Sequence, residues 1–255
     1  MRALFHDANR EKILGNYSEA ARLFRQVLDQ EPGHAAAAYE LARILRKLDK
    51  EDEAVSFAEM AVRQDPANPW YKLFLAELYE SAGQIVPAVK LLEGLVAEHP
   101  ENEDYRGMLA AAYMLSDKPQ EAIRQLDEIE QRSGITEEGI LQKKDIYLAL
   151  GKFDKAVAEM EKLIAYAPNE KKYHAILAEM YMEREQYDQA LMHYGRIREI
   201  DPGDPYIHMS LAEFYRRKGD QEASFRELST GFSNPRLDID TKIQILMSFY
   251  AIGEV

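Results

Sequence analysis

The sequence has no cysteine, a single tryptophan and no long uncharged apolar segment. Without cysteine, the chain forms no disulfide, iron–sulfur cluster, Cys-ligated zinc site or thiol nucleophile. The longest stretch without a charged residue, 243–253, has 11 residues, whereas a membrane-spanning helix needs roughly 20 apolar residues. We therefore expect no membrane span and no signal peptide within these residues, which leaves the compartment open with the cytoplasm as the default.

Basic side chains are outnumbered by acidic ones. The chain carries 32 Lys and Arg against 45 Asp and Glu, a formal net charge of −13. Affinity for nucleic acids depends on neutralising phosphates with basic side chains, so this balance predicts no nucleic-acid partner. The apolar fraction of 46% is ordinary and suffices for one or two compact domains or for a repeat array.

Sequence signatures of catalysis are also missing. The phosphate-binding P-loop, the dinucleotide-binding glycine motif, the nucleophile elbow of hydrolases and the paired-histidine zinc motif do not occur. The histidines are scattered, and the two that occupy equivalent places in the repeat described below, His174 and His208, are too few for a metal site. We expect no enzymatic activity, no cofactor and no metal.

The chain does contain a 34-residue period. Written in rows of 34 from Met1, it aligns without gaps through seven rows, with 17 residues remaining. We number repeat positions within a row. Position 8 is mostly alanine, position 11 mostly tyrosine and position 32 mostly proline. Position 20 is small in every row, as Ala20, Ala54, Ala88, Ala122, Ala156, Ala190 and Ser224.

This pattern resembles the tetratricopeptide repeat, a pair of antiparallel helices that recurs every 34 residues. The resemblance covers the whole chain and implies an all-α, right-handed α-solenoid of about 7.5 stacked repeats. It also implies that residues 1–255 form one array. Its repeats are 1–34, 35–68, 69–102, 103–136, 137–170, 171–204 and 205–238, followed by a half repeat at 239–255.

The residue types explain the pattern physically. Gly15, Gly83, Gly151 and Gly219 share position 15, where a turn between helices favours a residue that tolerates positive φ. The prolines of position 32 end the second helix of each repeat. Alanine at positions 8 and 20 lets the two helices approach closely, and the tyrosine of position 11 fills the space between neighbouring repeats. We therefore expect about fifteen helices, with breaks near positions 15 and 32.

Departures from the pattern gather in repeats 4 and 5. Lys144 occupies position 8, repeat 4 ends without its proline, and Gly107 and Gly139 lie inside predicted helices. Two interpretations stay open. The first is local drift, with Lys144 extending its ammonium group to solvent. The second is a softer joint in the middle of the array.

The last 17 residues are too apolar to cap a solenoid. They predict the first helix of an eighth repeat whose second helix is missing, and we expect the chain to be part of a longer protein. Helix 239–252 should leave Ile243, Leu246, Phe249 and Tyr250 uncovered. That surface is a candidate for self-association.

Function is expected in the groove. In tetratricopeptide arrays the first helices line a concave face, with positions 2, 5, 9, 12 and 13 pointing into it. These positions are basic in repeat 2, apolar in repeats 4 and 5, and acidic at intervals from repeat 3 onwards. The predicted groove residues are Tyr39, Arg43, Arg46, Lys47, Trp70 and Tyr206, then Gly107, Ala111, Met114, Leu141 and Leu148, and then Glu77, Asp145, Glu179, Glu183 and Glu213.

The groove predicts a protein–protein interaction scaffold that holds a peptide or helix with an apolar centre and a basic flank. The alternative is a regulatory or targeting arm of an enzyme, or of a secretion or assembly machine, whose active domain lies outside this chain. The chaperone-binding subgroup of the family is a poor match. Its carboxylate-clamp positions are occupied here by Phe5, Asn9, Glu40, Trp70 and Phe74.

Overall fold

The computed structural model describes residues 2–244 and Met247, and these residues are helical without any strand. The breaks expected near positions 15 and 32 are all present, so the predicted all-α repeat solenoid is confirmed. None of the described helices is long and apolar enough to span a membrane. The complete helices are α1 (Arg2–Ile13), α2 (Tyr17–Gln30), α3 (Ala35–Lys47), α4 (Glu51–Gln64), α5 (Pro69–Ser81), α6 (Ile85–Glu98), α7 (Glu103–Leu115), α8 (Pro119–Ser133), α9 (Glu137–Ala149), α10 (Phe153–Tyr166), α11 (Lys171–Glu183), α12 (Tyr187–Ile200), α13 (Pro205–Arg217) and α14 (Gln221–Ser233).

The odd-numbered helices are the first helices of the repeats, and most begin at a side-chain cap. Position 34 of the preceding repeat accepts a hydrogen bond from a backbone N–H in the first turn, as Asn102 does from the N–H of Tyr105 at 3.1 Å. Such a cap satisfies one of the donors that a helix start leaves unpaired. The capping residues are His34, Asn68, Asn102, Thr136, Glu170 and Asp204.

The turn inside each repeat has the same backbone geometry seven times. Position 15 has positive φ in every repeat, including the three where it is not glycine: Asp49 at 56°, Asp117 at 56° and Glu185 at 58°. The N–H of position 16 then donates to the carbonyl of position 11, as Lys50 does to Leu45 at 3.0 Å. This six-to-one bond closes a Schellman motif. The turn therefore imposes the left-handed conformation whatever residue is present.

We expect Glu185→Gly to raise the stability of this turn. An L-residue in the left-handed region costs about 1–2 kcal/mol, and glycine removes that cost. About 1 kcal/mol corresponds to a rise in Tm of roughly 2–4 °C, measurable by thermal denaturation. The control is Glu161→Gly on the exposed face of α10, where glycine should cost about 1 kcal/mol. A lower Tm for Glu185→Gly would contradict the interpretation.

The two helices of a repeat meet at positions 8 and 20. Every alanine at position 20 is fully buried. In the last complete repeat the position is Ser224, whose hydroxyl donates to the carbonyl oxygen of Ala212, at position 8, over 2.8 Å. A single side-chain oxygen therefore bridges the two helix backbones. The predicted role of the small residues is thus visible in the geometry.

The tyrosines of position 11 connect neighbouring repeats. The Tyr79 hydroxyl donates to Glu59 of the preceding repeat at 2.7 Å, and the Tyr113 hydroxyl donates to Glu93 at 2.8 Å. Burial, reinforced by the Glu59 carboxylate, raises the pKa of Tyr79 to about 12. These hydroxyls therefore stay protonated at neutral pH and hold successive repeats together by hydrogen bonds.

Contacts divide the chain into two compact units, unit 1 (Met1–Gly134) and unit 2 (Ile135–Val255). Within each unit, every described helix packs against its neighbours along the chain. The largest buried side chains include Phe24 and Leu41 in unit 1 and Met160 and Phe214 in unit 2. The division falls between repeats 4 and 5, where the sequence pattern departs from the family.

A buried ion pair lies beside this departure. Lys144 is half-buried, and its ammonium lies 2.8 Å from the exposed Asp145 carboxylate. Its neighbour Lys143 is only 1% exposed, and its ammonium lies 3.0 Å from Glu159 on α10. The ammonium of Lys162 approaches the same Glu159 oxygen at 3.0 Å. The repeat pattern predicts that Lys144 is the unusual residue, but the lysine buried in the core is its neighbour Lys143.

The expected uncovered surface of helix 239–252 is described only in part. Residues 239–244 are helical, and Ile239, Ile243 and Met247 are exposed. Leu246, Phe249 and Tyr250 lie outside the described residues. Self-association through this helix remains a prediction.

Candidate functional site

The first helices of repeats 2, 3 and 4 form an open pocket on unit 1. Its volume is about 670 Å³, and its walls come from α3, α5 and α7. Six of its nine lining residues are predicted groove residues. We call it the Trp70 pocket, and it is lined by Tyr39, Arg43, Arg46, Lys47, Trp70, Leu73, Phe74, Glu77 and Met108.

Exposed apolar side chains form one part of the Trp70 pocket. Trp70 is 68% exposed and Met108 is 42% exposed. Asn68 caps α5 by accepting the backbone N–H of Trp70 at 3.1 Å. The indole therefore projects from the first turn of α5, with most of its surface in solvent. Large exposed aromatic residues are frequent centres of binding energy in protein interfaces.

Basic side chains form the other part. The Arg46 guanidinium lies 2.9 Å from the Glu77 carboxylate, which largely neutralises it. Arg43 is less engaged, because its closest carboxylate oxygen, on Glu40, is 3.5 Å away. The exposed Lys47 ammonium donates one hydrogen bond to the Tyr17 hydroxyl at 3.1 Å and lies 4.9 Å from the centre of that ring, which leaves its other N–H groups free within the described part of the chain. Arg43 and Lys47 therefore keep donors available to a ligand.

The predicted apolar residues divide between the two units. On α7 of unit 1, Ala111 is exposed, Met114 is 38% exposed, and a Cβ added at the half-buried Gly107 would meet open space. On α9 of unit 2, Leu141 and Leu148 are half-buried and pack against the local core. The exposed apolar surface is thus clearer on unit 1. An apolar floor shared by both sets remains a prediction.

The predicted acidic residues differ in how far they are already paired. Glu213 contacts Arg216 at 2.6 Å and Arg217 at 2.7 Å, and its hydrogen bond with Arg216 lowers the pKa of Glu213. Asp145 is paired with Lys144 as described above.

On α11, Glu179 and Glu183 are exposed, and neither makes an ion pair with any residue in the described part of the chain. Tyr206, at the start of α13, is 53% exposed. The available acidic surface of unit 2 is therefore concentrated on α11, and a ladder extending over three repeats remains a prediction.

The two histidines that share repeat position 4 have different partners. His174 and His193 are buried, with their Nδ1 atoms 3.1 Å apart, whereas His208 contacts Glu227 at 2.7 Å. Burial lowers the pKa of His193, and His174 lowers it further. Among the described residues, no group of three or more His, Asp or Glu side chains is arranged to hold a metal. The histidine pair packs repeat 6.

Three residues of the Trp70 pocket were missed by sequence reasoning. Phe74 and Met108 occupy position 6, which was not among the positions read as facing the groove. Leu73 occupies position 5, which is one of the positions predicted to face the groove. An apolar residue at position 6 in consecutive repeats is a signal that the sequence does contain.

Comparisons with known proteins agree with the repeat fold. Family models described as tetratricopeptide repeat match residues 13–78, 52–112 and 81–134 of unit 1 and residues 145–205 of unit 2. These matches cover most of the chain. A search of curated protein sequences found no match.

Solved structures share the fold at low sequence identity. A tetratricopeptide repeat protein from Parabacteroides merdae is 16% identical, with a TM-score of 0.58 over 96% of this chain and 97% of that one. The C-terminal part of a tetratricopeptide repeat protein from Cytophaga hutchinsonii is 16% identical, with a TM-score of 0.64 over 95% of this chain and 99% of that one.

A third structure, Naa15/Naa10 bound to HypK-THB, is 18% identical, with a TM-score of 0.70 over 92% of this chain. This chain spans only 37% of the length of that protein. Proteins of this fold are generally non-enzymatic and typically bind other proteins. The repeat period, the helix pairs and the family matches together place the chain in the tetratricopeptide repeat family.

Proposed function

We propose that this chain is an interaction scaffold whose first-helix face binds a peptide or a short helix of a partner protein. The observation that carries the proposal is the Trp70 pocket. Three consecutive first helices contribute to it, and it exposes a tryptophan beside the basic side chains of Arg43 and Lys47. The structural neighbour Naa15/Naa10 is bound to HypK-THB, and this supports the same function by analogy of fold.

The partner segment is proposed to have an apolar centre and a basic flank. On unit 2, Leu141 and Leu148 of α9 would contact the apolar centre. The basic flank would lie against Glu179 and Glu183, which are exposed on α11. Salt screens the attraction between exposed charges, with a Debye length of about 8 Å at physiological ionic strength. Affinity should therefore fall as the salt concentration rises.

The experiment is selection from a random peptide library, followed by affinity measurements on variants. We expect Glu179→Lys and Leu141→Glu each to weaken the selected peptides by roughly tenfold, the loss of about 1.4 kcal/mol. The control, Val86→Glu, introduces a charge at an exposed position of the second helix α6 and should leave affinity unchanged. Selected peptides that bind equally to all variants would contradict this placement of the ligand.

A further inference from the structure

We infer that the Trp70 pocket binds an acidic peptide segment in which a carboxylate side chain lies close to an aromatic or large aliphatic one. This inference rests on the proposed function and specifies the ligand chemistry at the unit 1 end. The acidic ligand inferred here differs from the basic ligand flank proposed for unit 2, because the two units expose side chains of opposite charge.

Local charge is the first support. A second, smaller pocket of about 190 Å³ adjoins the Trp70 pocket and shares Arg43 and Lys47 with it, adding Lys12 and Glu40. Four basic residues therefore face two acidic ones, Glu40 and Glu77, across the joint surface. The whole chain carries −13. A positive surface on such an acidic protein favours acidic partners.

The hydrogen-bond donors of Arg43 are the second support. Arg43 lies beside the Tyr39 ring, with 5.6 Å between its guanidinium carbon and the ring centre. The ring holds the guanidinium in place, and its carboxylate neighbour Glu40 is also bound by Lys12 at 2.9 Å. A planar guanidinium binds a carboxylate through two parallel N–H donors. Arg43 can therefore receive a ligand carboxylate, with Lys47 as the second charge.

The apolar wall is the third support. Trp70 and Met108 are exposed, and Leu73, which also lines the pocket, is half-buried. Methionine adapts its shape to different apolar partners, and tryptophan provides a large rigid surface. An aromatic or aliphatic side chain of the ligand would bury part of this wall. A ligand that offers only a carboxylate would leave the apolar wall exposed to water.

A basic peptide is disfavoured at this end, because it would bring like charges against Arg43 and Lys47. Single-stranded RNA would meet the same cations, but Arg43 and Lys47 are too few to neutralise a run of phosphates. An acidic peptide is therefore the occupant that the charges and the apolar wall favour together.

The chain offers a direct probe, because Trp70 is its only tryptophan. The test uses three fluorescein-labelled peptides of equal length that lack tryptophan. One combines Glu with Phe, the second replaces Glu by Gln, and the third replaces Glu by Lys. Anisotropy measures binding anywhere on the protein, and Trp70 emission measures binding in the pocket. A single-stranded RNA and peptides selected from the random library are titrated in the same way.

We expect the Glu–Phe peptide to bind and to shift Trp70 emission, with the Gln and Lys peptides at least roughly tenfold weaker. Arg43→Glu should remove the shift, and Trp70→Ala should weaken the anisotropy signal by a similar factor. The matched control is Arg63→Glu, which reverses a charge at an exposed position of the second helix α4. It should bind as the unmodified protein does.

The outcomes separate the two proposals. If library peptides bind but the Glu–Phe peptide fails to bind or leaves Trp70 emission unchanged, the inference is wrong while the scaffold proposal stands. The same conclusion follows if the Lys peptide or the RNA binds the pocket as well as the Glu–Phe peptide. If neither the library nor the panel yields a binding peptide, the scaffold proposal itself fails. Far-UV circular dichroism of each variant confirms that the helices are retained.

Discussion

Replacing Lys143 with leucine is expected to destabilise unit 2 by about 3–5 kcal/mol, although leucine is the residue that the repeat pattern favours there. Position 7 is a buried leucine in five other repeats, as Leu41, Leu75, Leu109, Leu177 and Leu211. In repeat 5 the lysine pairs with Glu159, which is itself only 7% exposed. Removing the ammonium leaves the buried Glu159 carboxylate beside Lys162, whose more exposed ammonium lies 3.0 Å from the same oxygen.

The energetic reason is that a buried charge without sufficient compensation costs more than the intact pair contributes. Lys143→Leu,Glu159→Leu removes both charges and should recover much of the loss. The two positions should therefore show a coupling energy of at least about 2 kcal/mol in a double-mutant cycle. Urea denaturation followed by circular dichroism measures the free energy of unfolding of each variant.

Lys144→Ala is the control, since it removes a lysine one residue away whose partner, Asp145, is exposed. We expect a change below about 1 kcal/mol there, as for other surface pairs. If Lys143→Leu is as stable as the unmodified chain, the buried pair does not contribute as described. Additive effects of Lys143→Leu and Glu159→Leu would lead to the same conclusion.

The fold was predictable because its period repeats seven times, and each copy carries the same local signals. Even so, the sequence identified the left-handed turn only where position 15 is glycine. Asp49, Asp117 and Glu185 adopt the same conformation, because the six-to-one hydrogen bond and the packing of the two helices outweigh the preference of one residue. Residue type alone does not contain that information.

The sequence could predict which positions line the candidate site, but not which of their charged side chains are already paired with each other. Arg46 and Glu77 were both predicted to face the groove, yet they bind each other at 2.9 Å. Glu213 is similarly occupied by Arg216 of its own helix. Pairing between side chains 31 residues apart depends on how neighbouring helices stack and on which rotamers meet. The same limit explains why Glu159 was not recognised as the partner of Lys143.

Ala54→Leu should destabilise unit 1 by about 1–3 kcal/mol through overpacking. Ala54 occupies position 20 on α4, is completely buried and belongs to the core against which α3 packs. The equivalent Ser224 reaches the carbonyl of Ala212 with one side-chain oxygen, so the larger leucine has no space at this contact. Helices α3 and α4 must separate, or the leucine must adopt a strained rotamer.

Separation of α3 from α4 would also disturb binding, because α3 carries Arg43 and Lys47 of the Trp70 pocket. We therefore expect Ala54→Leu to lower the urea midpoint and to weaken the Glu–Phe peptide together. Ala54→Ser reproduces the side chain found at position 224 and should change both by little. Ser56→Leu places the same leucine at an exposed position of α4 and separates helix propensity from packing. If Ala54→Leu is as stable as the unmodified chain, the two helices do not need their close approach. If the Glu–Phe peptide then binds more weakly although stability is unchanged, the effect is confined to α3.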